Sequence, residues 1–446
     1  WAAARDPLLA SRMTTLKGGY LRDIAGFDAD HFGIAPREAA KLDPQQRLLL
    51  SATHDALEDA GITRAMMKAL TVGVFVGAGS NDYMMLGSRC RDAIDSYDGI
   101  GNSHSILANR ISYCYDLRGP SLTVDTACSS SLTALHFALQ ALAHDGIDLA
   151  IVGGVNVIVS PDLTLAFSQA GMLSPSGRCN TFGANADGYG RAEGAGVLVL
   201  ARPGHPALAD ARARCLILAS AVNQDGRSNG ITAPNGVSQR QVIEKAMRIA
   251  GVSLADMAYV ETHGTGTKLG DAIEFNALRD LFASTRDAHC HVGSAKANVG
   301  HMEAAAGMGG LIKAMLMLEH GVIVPHAVKP PYNEFIDKAR GQLAIAQSAE
   351  PLRQGGCIGV SSFGFGGSNA HAILARAPAC PDIGENDGRV PALLLLSSHD
   401  PELARADALR LADHLESTNL PLSRVAATLA HHRDALRHRT AIVAAD

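Results

Sequence analysis

The sequence predicts an α/β protein built from two similar halves, in which helices cover layered sheets, with a small α/β module after them. Short apolar runs of strand length alternate with longer segments of helical periodicity up to about residue 200. The same alternation starts again after Pro203 and Pro206, and it ends in a turn-rich segment past Ala375. Two such alternations in succession favour sheets covered by helices over an all-helical or all-strand fold.

The first half, which we place at residues 1–203, begins with a loop-rich stretch. Asp43-Pro44-Gln45-Gln46 then supplies an N-cap, a proline at the first helical position and a capping-box glutamine, which predicts a helix that ends at Gly61. Three apolar runs predict buried strands in this half: residues 71–76, 148–153 and 195–200.

The second half, which we place at residues 207–376, repeats this pattern. The apolar runs that predict strands are residues 215–222, 257–261, 291–295 and 358–361. The segments that predict helices are residues 238–250, 272–283 and 301–319.

A change of composition marks the end of the second half. Prolines, glycines and short polar residues predict a linker at residues 377–389, and a small domain follows at residues 390–446. Its predicted elements are a strand at 390–397, helices at 402–417 and 422–429, and a strand at 439–444. No motif in this tail indicates chemistry.

The composition excludes several classes of partner. The chain has 446 residues, 47% of them apolar, and a net charge of −5 without a long run of either sign, so we expect neither nucleic acid nor a membrane as partner. Eight scattered cysteines indicate reduced thiols, and we expect a cytoplasmic protein. His289-Cys290-His291 and His431-His432 point different ways on a strand or helix, so we predict no metal site.

A strand-turn-helix pattern surrounds Cys128. Leu122 and Val124 alternate with polar residues before it, and leucines at helical spacing follow it. A thiol on such a turn lies at a helix N-terminus, where unpaired N–H groups favour the reactive thiolate. The alternative is a buried structural cysteine, and this stretch alone does not decide between them.

Two histidines and a glycine-rich turn follow other predicted strands. His263 lies in Glu261-Thr-His-Gly-Thr-Gly-Thr267, and His301 follows a strand in Lys296-Ala-Asn-Val-Gly-His-Met-Glu303. Residues 363–371 form a glycine-rich turn whose N–H groups could hold an anion, or which is purely structural. A lone histidine is more often structural, but two of them and a cysteine, all at strand ends, make a convergent site plausible.

These segments carry a resemblance to a known family. VDTACSSSL around Cys128, ETHGTGT around His263, KANVGHMEAAAG around His301 and the GFGGSNAH turn resemble the four hallmark motifs of β-ketoacyl synthases, in the same order. Three further stretches are similar to the ketosynthase domain of modular type I polyketide synthases, which make secondary metabolites: residues 26–50, 170–194 and 223–236. The resemblance spans most of residues 18–376 and implies a thiolase-like fold of two α/β halves.

The resemblance also implies a mechanism, the decarboxylative Claisen condensation of polyketide chain elongation. Cys128 would accept an acyl chain, and the backbone N–H groups of Cys128 and Phe365 would stabilise the tetrahedral oxyanion. His263 and His301, donating from Nε2, would stabilise the enolate that forms as a malonyl-type thioester loses CO₂. Lys296 and Glu303 would form an ion pair that organises His301.

The remaining site residues are expected around the substrate. Thr265 and Thr267 would contact the phosphopantetheine arm, Phe363 and Gly366 would contribute to the substrate site, and Phe365 would also gate the pocket. The substrates would be carried on the phosphopantetheine of an acyl carrier protein, with no cofactor, metal or nucleotide bound by the chain itself.

The resemblance extends to partners and to the ends of the chain. Residues 390–446 resemble the domain that links a ketosynthase to an acyltransferase, so an acyltransferase domain in cis or in trans is an expected partner. A homodimer is expected, paired through the strand that ends at Val124. Family members usually begin with a further strand, which we expect to be missing before Trp1.

Other functions are weighed against this one. A thiolase would need a second cysteine in the C-terminal glycine turn, and residues 363–371 contain none. A non-elongating ketosynthase, acting as an acyl-transfer or docking module, typically loses the histidine of HGTGT, and a decarboxylating loader typically has glutamine in place of the nucleophile. Both His263 and Cys128 are present, which favours a condensing enzyme.

Overall fold

We describe the fold from a computed structural model, which covers residues 6–89, 91–208, 211–283, 289–337, 342–378, 391–418 and 420–444. The α-helices are α1 (Pro7–Ser11), α2 (Pro36–Ala39), α3 (Pro44–Ala60), α4 (Arg64–Met67), α5 (Asp82–Gly87), α6 (Ser96–Asn102), α7 (His104–Tyr115), α8 (Ser130–His144), α9 (Asp162–Gln169), α10 (Gly236–Ala250), α11 (Lys268–Phe282), α12 (Lys296–Val299), α13 (Ala306–His320), α14 (Glu334–Asp337), α15 (Pro401–Ser417) and α16 (Leu422–His431). The strands are β1 (Val72–Gly77), β2 (Ser121–Val124), β3 (Leu149–Asn156), β4 (Gly194–Ala201), β5 (Cys215–Gln224), β6 (Met257–Glu261), β7 (Cys290–Gly293), β8 (Val322–Ile323), β9 (Leu343–Ile345), β10 (Glu350–Pro351), β11 (Cys357–Phe363), β12 (Ser368–Arg376), β13 (Ala392–Ser398) and β14 (His438–Ala444).

The first half of the chain forms a four-stranded sheet with the order β2-β1-β3-β4. β1 is parallel to β2 and β3, and β4 is antiparallel to β3. β1 and β3 are buried at every position, as expected of strands that helices cover on both faces. β2 and β4 are the edges of this sheet in the described part of the chain. A groove of about 720 Å³ with a mainly apolar lining, which includes Ala195, Ile312 and Leu316, lies at the β4 side.

The second half forms a six-stranded sheet with the order β5-β12-β11-β6-β7-β9. β11, β6, β7 and β9 run parallel, whereas β12 is antiparallel to both β11 and β5. The two sheets therefore repeat one motif, in which a run of parallel strands continues into an antiparallel strand.

Two helices lie between the sheets and join the halves into one core. α8 packs against β1 and β3 on one side and β5 on the other, and α13 packs against both β3 and β11. Leu132, Leu135 and Leu311 of these helices are buried in a cluster that includes residues of both sheets. α3 and α7 cover the outer face of the first sheet, and α10 and α11 that of the second. This order of helix, sheet, helix, sheet and helix confirms the predicted layered α/β fold.

The sheets bring the predicted site residues to strand ends. β6, β7 and β11 are parallel, so their carboxyl ends lie at one edge of the sheet. His263 follows β6, Lys296 and His301 follow β7, and the turn at residues 364–367 follows β11. Cys128 follows β2 of the other sheet.

The C-terminal module packs on the first half. β13 and β14 pair in antiparallel fashion, and α15 and α16 pack against β13. Ion pairs join Arg433 to Glu58 and Arg64 to Asp434 across the contact. The predicted linker at 377–389 lies, beyond Pro378, outside the described residues, and the bounds of the four predicted segments stay predictions. None of the described helices has the length and apolar composition needed to cross a membrane.

Several element predictions need correction. The helix predicted from His301 begins at Ala306, because the backbone of His301 pairs with the segment around Arg191. The predicted glycine-rich turn at 363–371 is shorter, since β12 begins at Ser368. α6, α7 and α9 were not predicted, because polar residues interrupt their apolar spacing.

Candidate active site

Cys128 lies on a sharp turn between β2 and α8. Ala127 has a φ of 55°, which is unusual for a residue with a side chain, and its N–H donates to Asp125 Oδ1 at 2.9 Å. Ser130 Oγ accepts the Thr126 N–H at 2.9 Å, and Ser362 Oγ donates to the Cys128 carbonyl at 2.7 Å. Ser130 and Ser362 thus fix the turn from two distant segments. The strained φ beside the nucleophile is typical of functional sites.

The environment of the thiol differs from the sequence prediction. Burial raises the pKa of Cys128 to about 12, and the Glu303 carboxylate adds to the rise. Lys296 and the backbone N–H groups of Phe365 and Cys128 act in the opposite direction but do not outweigh burial. The predicted resting thiolate is therefore wrong, because a position at a helix N-terminus does not reveal how much protein surrounds the sulfur. The resting group is a neutral thiol.

His263 is held from both sides by backbone contacts. Its own N–H donates to Glu274 Oε1 at 2.7 Å, and its Nδ1 accepts the Phe363 N–H at 3.3 Å. An imidazole whose Nδ1 accepts a hydrogen bond carries its proton on Nε2 when neutral. His263 is therefore a donor at Nε2.

His301 has the same arrangement at the end of another strand. Its Nδ1 accepts the Glu303 N–H at 3.0 Å, and its backbone pairs with Gly190 and Ala192 at 2.8 Å each. Glu303 has a φ of 45°, a second conformation that L-residues rarely adopt, and this turn aims its N–H at the imidazole. His301 is 1% exposed and is likewise a donor at Nε2.

The three predicted catalytic side chains converge. One ring nitrogen of His263, one of His301 and the Cys128 Sγ all lie within 4.8 Å of one another. The two imidazoles meet edge to face, with ring centroids 5.5 Å apart. Burial lowers the pKa of each histidine well below its usual value, and the Lys296 charge lowers it further. Both histidines are therefore neutral.

This geometry resembles a metal site, but the hydrogen bonds oppose one. A metal ligand needs a lone pair on the nitrogen that faces the site, and both Nδ1 atoms are turned to backbone N–H groups. In the neutral imidazoles the nitrogen that remains for the site carries a proton. The arrangement suits two hydrogen-bond donors beside a thiol.

The predicted ion pair between Lys296 and Glu303 is wrong. Both carboxylate oxygens of Glu303 accept from Arg191, at 2.6 and 2.8 Å. Lys296 is 6% exposed, and its pKa is lowered by burial while Glu261 and Glu274 oppose the shift. Lys296 therefore acts on the histidines through its charge, and Glu303 is organised by a cation that lies 112 residues away in the sequence.

The expected oxyanion donors face the nucleophile. The backbone N–H groups of Cys128 and Phe365 both stabilise negative charge at the Cys128 sulfur, so they point into the same space. Phe365 is 44% exposed, and its ring meets that of Phe167 edge to face, with centroids 6.3 Å apart. Phe365 thus combines a backbone donor at the sulfur with an exposed side chain.

The other predicted residues lie in β11 or in the segments that follow β6 and β11. Phe363 is buried with its ring centroid 5.8 Å from that of His263. Thr265 and Thr267 are half-buried, and their hydroxyls bond to each other at 3.2 Å. Gly366 is exposed and has open space around it.

Sequence reasoning missed three charged residues that support the site. Glu274 accepts the N–H groups of His263 and Gly264, and Asp271 accepts that of Gly266, so α11 holds the loop that carries His263. Burial raises the pKa of each carboxyl to about 7. The spacing of the two acids, three residues apart directly after the glycine loop, was the available signal. Arg191 is the third, and its partners come from distant segments.

Comparisons with known proteins show the family of this chain. Residues 2–204 match the "Beta-ketoacyl synthase, N-terminal domain" family, residues 214–328 its C-terminal domain, and residues 333–443 the "Ketoacyl-synthetase C-terminal extension". The chain is 44% identical over 435 residues to a phenolphthiocerol/phthiocerol polyketide synthase component of Mycobacterium tuberculosis, and 44% identical over 441 residues to erythronolide synthase EryA3 of Saccharopolyspora erythraea. These matches cover 96% of this chain but only 28% and 14% of the relatives.

Solved structures show the same relationship. The ketosynthase from module 6 of the Bacillus subtilis 168 bacillaene synthase superposes with a TM-score of 0.85 at 37% identity, covering 95% of this chain and 74% of that one. An oxazolomycin ketosynthase domain of Streptomyces albus JA3453, OzmH KS7, gives a TM-score of 0.88 at 35% identity, covering 96% and 75%. The expected thiolase-like fold is thereby confirmed.

Proposed function

The chain belongs to the β-ketoacyl synthase family as a ketosynthase of the polyketide synthase type, and we propose that it extends polyketide chains by decarboxylative Claisen condensation. Ketosynthases are acyltransferases that form carbon–carbon bonds. One observation carries the proposal. Backbone N–H groups occupy Nδ1 of both His263 and His301, which leaves two neutral Nε2–H donors beside a thiol. An enolate needs such donors, whereas a proton-abstracting base would need a free lone pair.

In the first half-reaction, Cys128 takes an acyl chain from a thioester. The sulfur attacks the thioester carbonyl, the N–H groups of Cys128 and Phe365 hold the oxyanion, and the carrier thiolate leaves. Neither histidine offers a lone pair at Nε2, so the Cys128 proton ends on the departing sulfur. The products are the acyl-Cys128 thioester and the free carrier thiol.

In the second half-reaction, a malonyl-type thioester replaces the first carrier. Its carbon–carboxylate bond breaks, CO₂ leaves, and the electron pair forms an enolate whose oxygen accepts from His263 and His301. The enolate carbon attacks the acyl carbonyl, and the carbon–sulfur bond to Cys128 breaks. The thiolate of Cys128 takes up one proton, and a β-ketoacyl thioester leaves.

The carriers and partners belong to the same proposal. The substrates are thioesters on the phosphopantetheine of an acyl carrier protein, and the half-buried Thr265 and Thr267 hydroxyls offer polar contacts to that arm. Such an arm would pass the exposed Phe365 and Gly366 at the mouth. An acyltransferase domain, in cis or in trans, would supply the extender unit. The free thiols of the described cysteines suit a reducing, cytoplasmic compartment.

A homodimer is part of the proposal as well. β2 is an edge strand whose outer side has no partner among the described strands, and a two-fold axis would let two copies pair there. β2 leads directly to Cys128, so this contact would lie close to each active site.

Replacement of the nucleophile tests the proposed function. We expect stoichiometric acylation of the wild-type chain by a suitable acyl thioester, seen by intact-protein mass spectrometry across a panel of acyl groups, and none in Cys128→Ala. Five other described cysteines are free, so each serves as an internal control for non-specific labelling. Persistent stoichiometric loading of Cys128→Ala would sink the assignment.

A further inference from the structure

Arg191 is buried beside the active site but touches none of the reacting atoms. Its side chain is 3% exposed, and its backbone segment pairs with His301. The His301 N–H donates to the Gly190 carbonyl, and the Ala192 N–H donates to the His301 carbonyl. A buried guanidinium is costly unless its donors are satisfied, so its contacts show what it is there to hold.

The first contact of Arg191 is with Glu303, which lies in the turn that fixes His301. Arg191 Nε and Nη2 donate to the two carboxylate oxygens of Glu303 at 2.6 and 2.8 Å. The Glu303 N–H in turn donates to His301 Nδ1, from a residue whose φ of 45° is unfavourable. A bidentate pair restricts both position and rotation of the carboxylate. Arg191 therefore holds the turn in the conformation that selects the Nε2–H form of His301.

The second contact reaches the ring at the mouth of the site. Arg191 Nη1 donates to Thr164 Oγ1 at 2.6 Å, and the guanidinium carbon lies 5.3 Å from the centroid of the Phe167 ring. Thr164 and Phe167 are three residues apart on α9 and so share one face of the helix. Phe167 meets Phe365 edge to face, and the Phe365 N–H faces the Cys128 sulfur.

We propose that Arg191 is a positioning residue for both half-reactions. It holds His301 in place through Glu303. It holds Phe365 in place through Thr164 and Phe167. The inference rests on the proposed function, since it assigns one contact to each half-reaction. The Glu303 contact serves decarboxylation, where His301 donates to the enolate. The α9 contact serves loading, where Phe365 supplies an oxyanion donor and covers the entrance.

Lysine cannot replace arginine in this position. Three hydrogen bonds use three guanidinium nitrogens in fixed directions, and the contact with the Phe167 ring uses the flat face. A lysine ammonium is instead a point charge on a flexible stem. Arg191→Lys keeps the positive charge beside His301 but removes the directed N–H donors and the flat face of the guanidinium. Glu303→Gln weakens the contact with the His301 turn, and Thr164→Val weakens the contact with α9, so the two variants are matched controls for each other. Glu303→Gln also removes a charge that raises the pKa of Cys128, and this change would favour loading.

The test measures the two half-reactions separately. Loading of Cys128 is followed by mass spectrometry with an acyl thioester, and CO₂ release is followed with malonyl-N-acetylcysteamine, each as kcat and KM. We expect Glu303→Gln to lower kcat for CO₂ release on the order of 10- to 100-fold more than loading, and Thr164→Val to show the reverse preference. We expect Arg191→Lys to lower kcat for both CO₂ release and loading. The order of the melting temperatures of the three variants should differ from the order of their rates.

The opposite results are equally clear. If Glu303→Gln and Thr164→Val lower both rates by the same factor, or if Arg191→Lys leaves either rate within about twofold of wild type, the inference is overturned while the proposed function stands. If Arg191→Lys does not fold, the other two variants still decide. A wild-type chain that neither loads nor decarboxylates would overturn the proposed function itself.

Discussion

Removal of the His263 imidazole should separate the two half-reactions. In His263→Ala the enolate loses one of its two donors, while the oxyanion donors of loading, which are backbone N–H groups, stay in place. Loss of one preorganised donor to a developing oxyanion costs about 2.7–4 kcal/mol, or roughly 10²–10³ in kcat. His301 remains, so we expect condensation to fall within that range and not to vanish.

The assay compares acyl loading with product formation on the same preparations. We expect the rate of Cys128 acylation to change little in His263→Ala, and the rate of β-keto product formation to fall by the stated factor. His263→Gln, whose amide can still donate, serves as the matched control and should recover part of the loss. If His263→Ala instead lost acylation and kept decarboxylation, the assignment of the histidines would have to be reversed.

Three further outcomes are expected. Lys296→Ala should slow decarboxylation more than loading, because its charge lowers the pKa of His263 and His301; equal losses in both assays would contradict this. Burial raises the pKa of Glu274 from 4.5 to about 7, so as the pH rises the folded state releases this proton at a higher pH than the unfolded chain does. The free energy of unfolding therefore decreases over this pH range, and the melting temperature should fall between about pH 5 and pH 8. Glu274→Gln should flatten that fall, and an unchanged slope would refute the argument. Light scattering should give twice the monomer mass, whereas an active monomer at micromolar concentration would exclude the β2 contact.

The regular elements could be predicted where the apolar pattern was continuous. The strand expected at residues 257–261 is β6 without any shift, and α3 begins and ends at the predicted cap and glycine. The pattern failed around His301, where backbone pairing with a segment more than 100 residues away replaces the expected first turn of a helix. Such pairing is a property of the assembled fold and leaves no local signal.

The candidate site shows the same division. Short motifs identified Cys128, His263 and His301, because each follows a strand and small residues leave space around it. The partner of Glu303 could not be identified, since Lys296 is near in sequence and Arg191 is near in space. The raised pKa of the Cys128 thiol could not be predicted from the sequence either. Burial dominates that shift, and burial depends on residues from both sheets.

The most direct test of the account is decarboxylation without a nucleophile. Cys128→Gln cannot load an acyl chain, but it keeps both Nε2–H donors, so it should release CO₂ from malonyl-N-acetylcysteamine and leave acetyl thioester with no condensed product. Adding His263→Ala to this variant should reduce CO₂ release by roughly 10²–10³. Absence of CO₂ release from Cys128→Gln, or a rate unaffected by the loss of His263, would contradict the claim that the paired histidines stabilise the enolate.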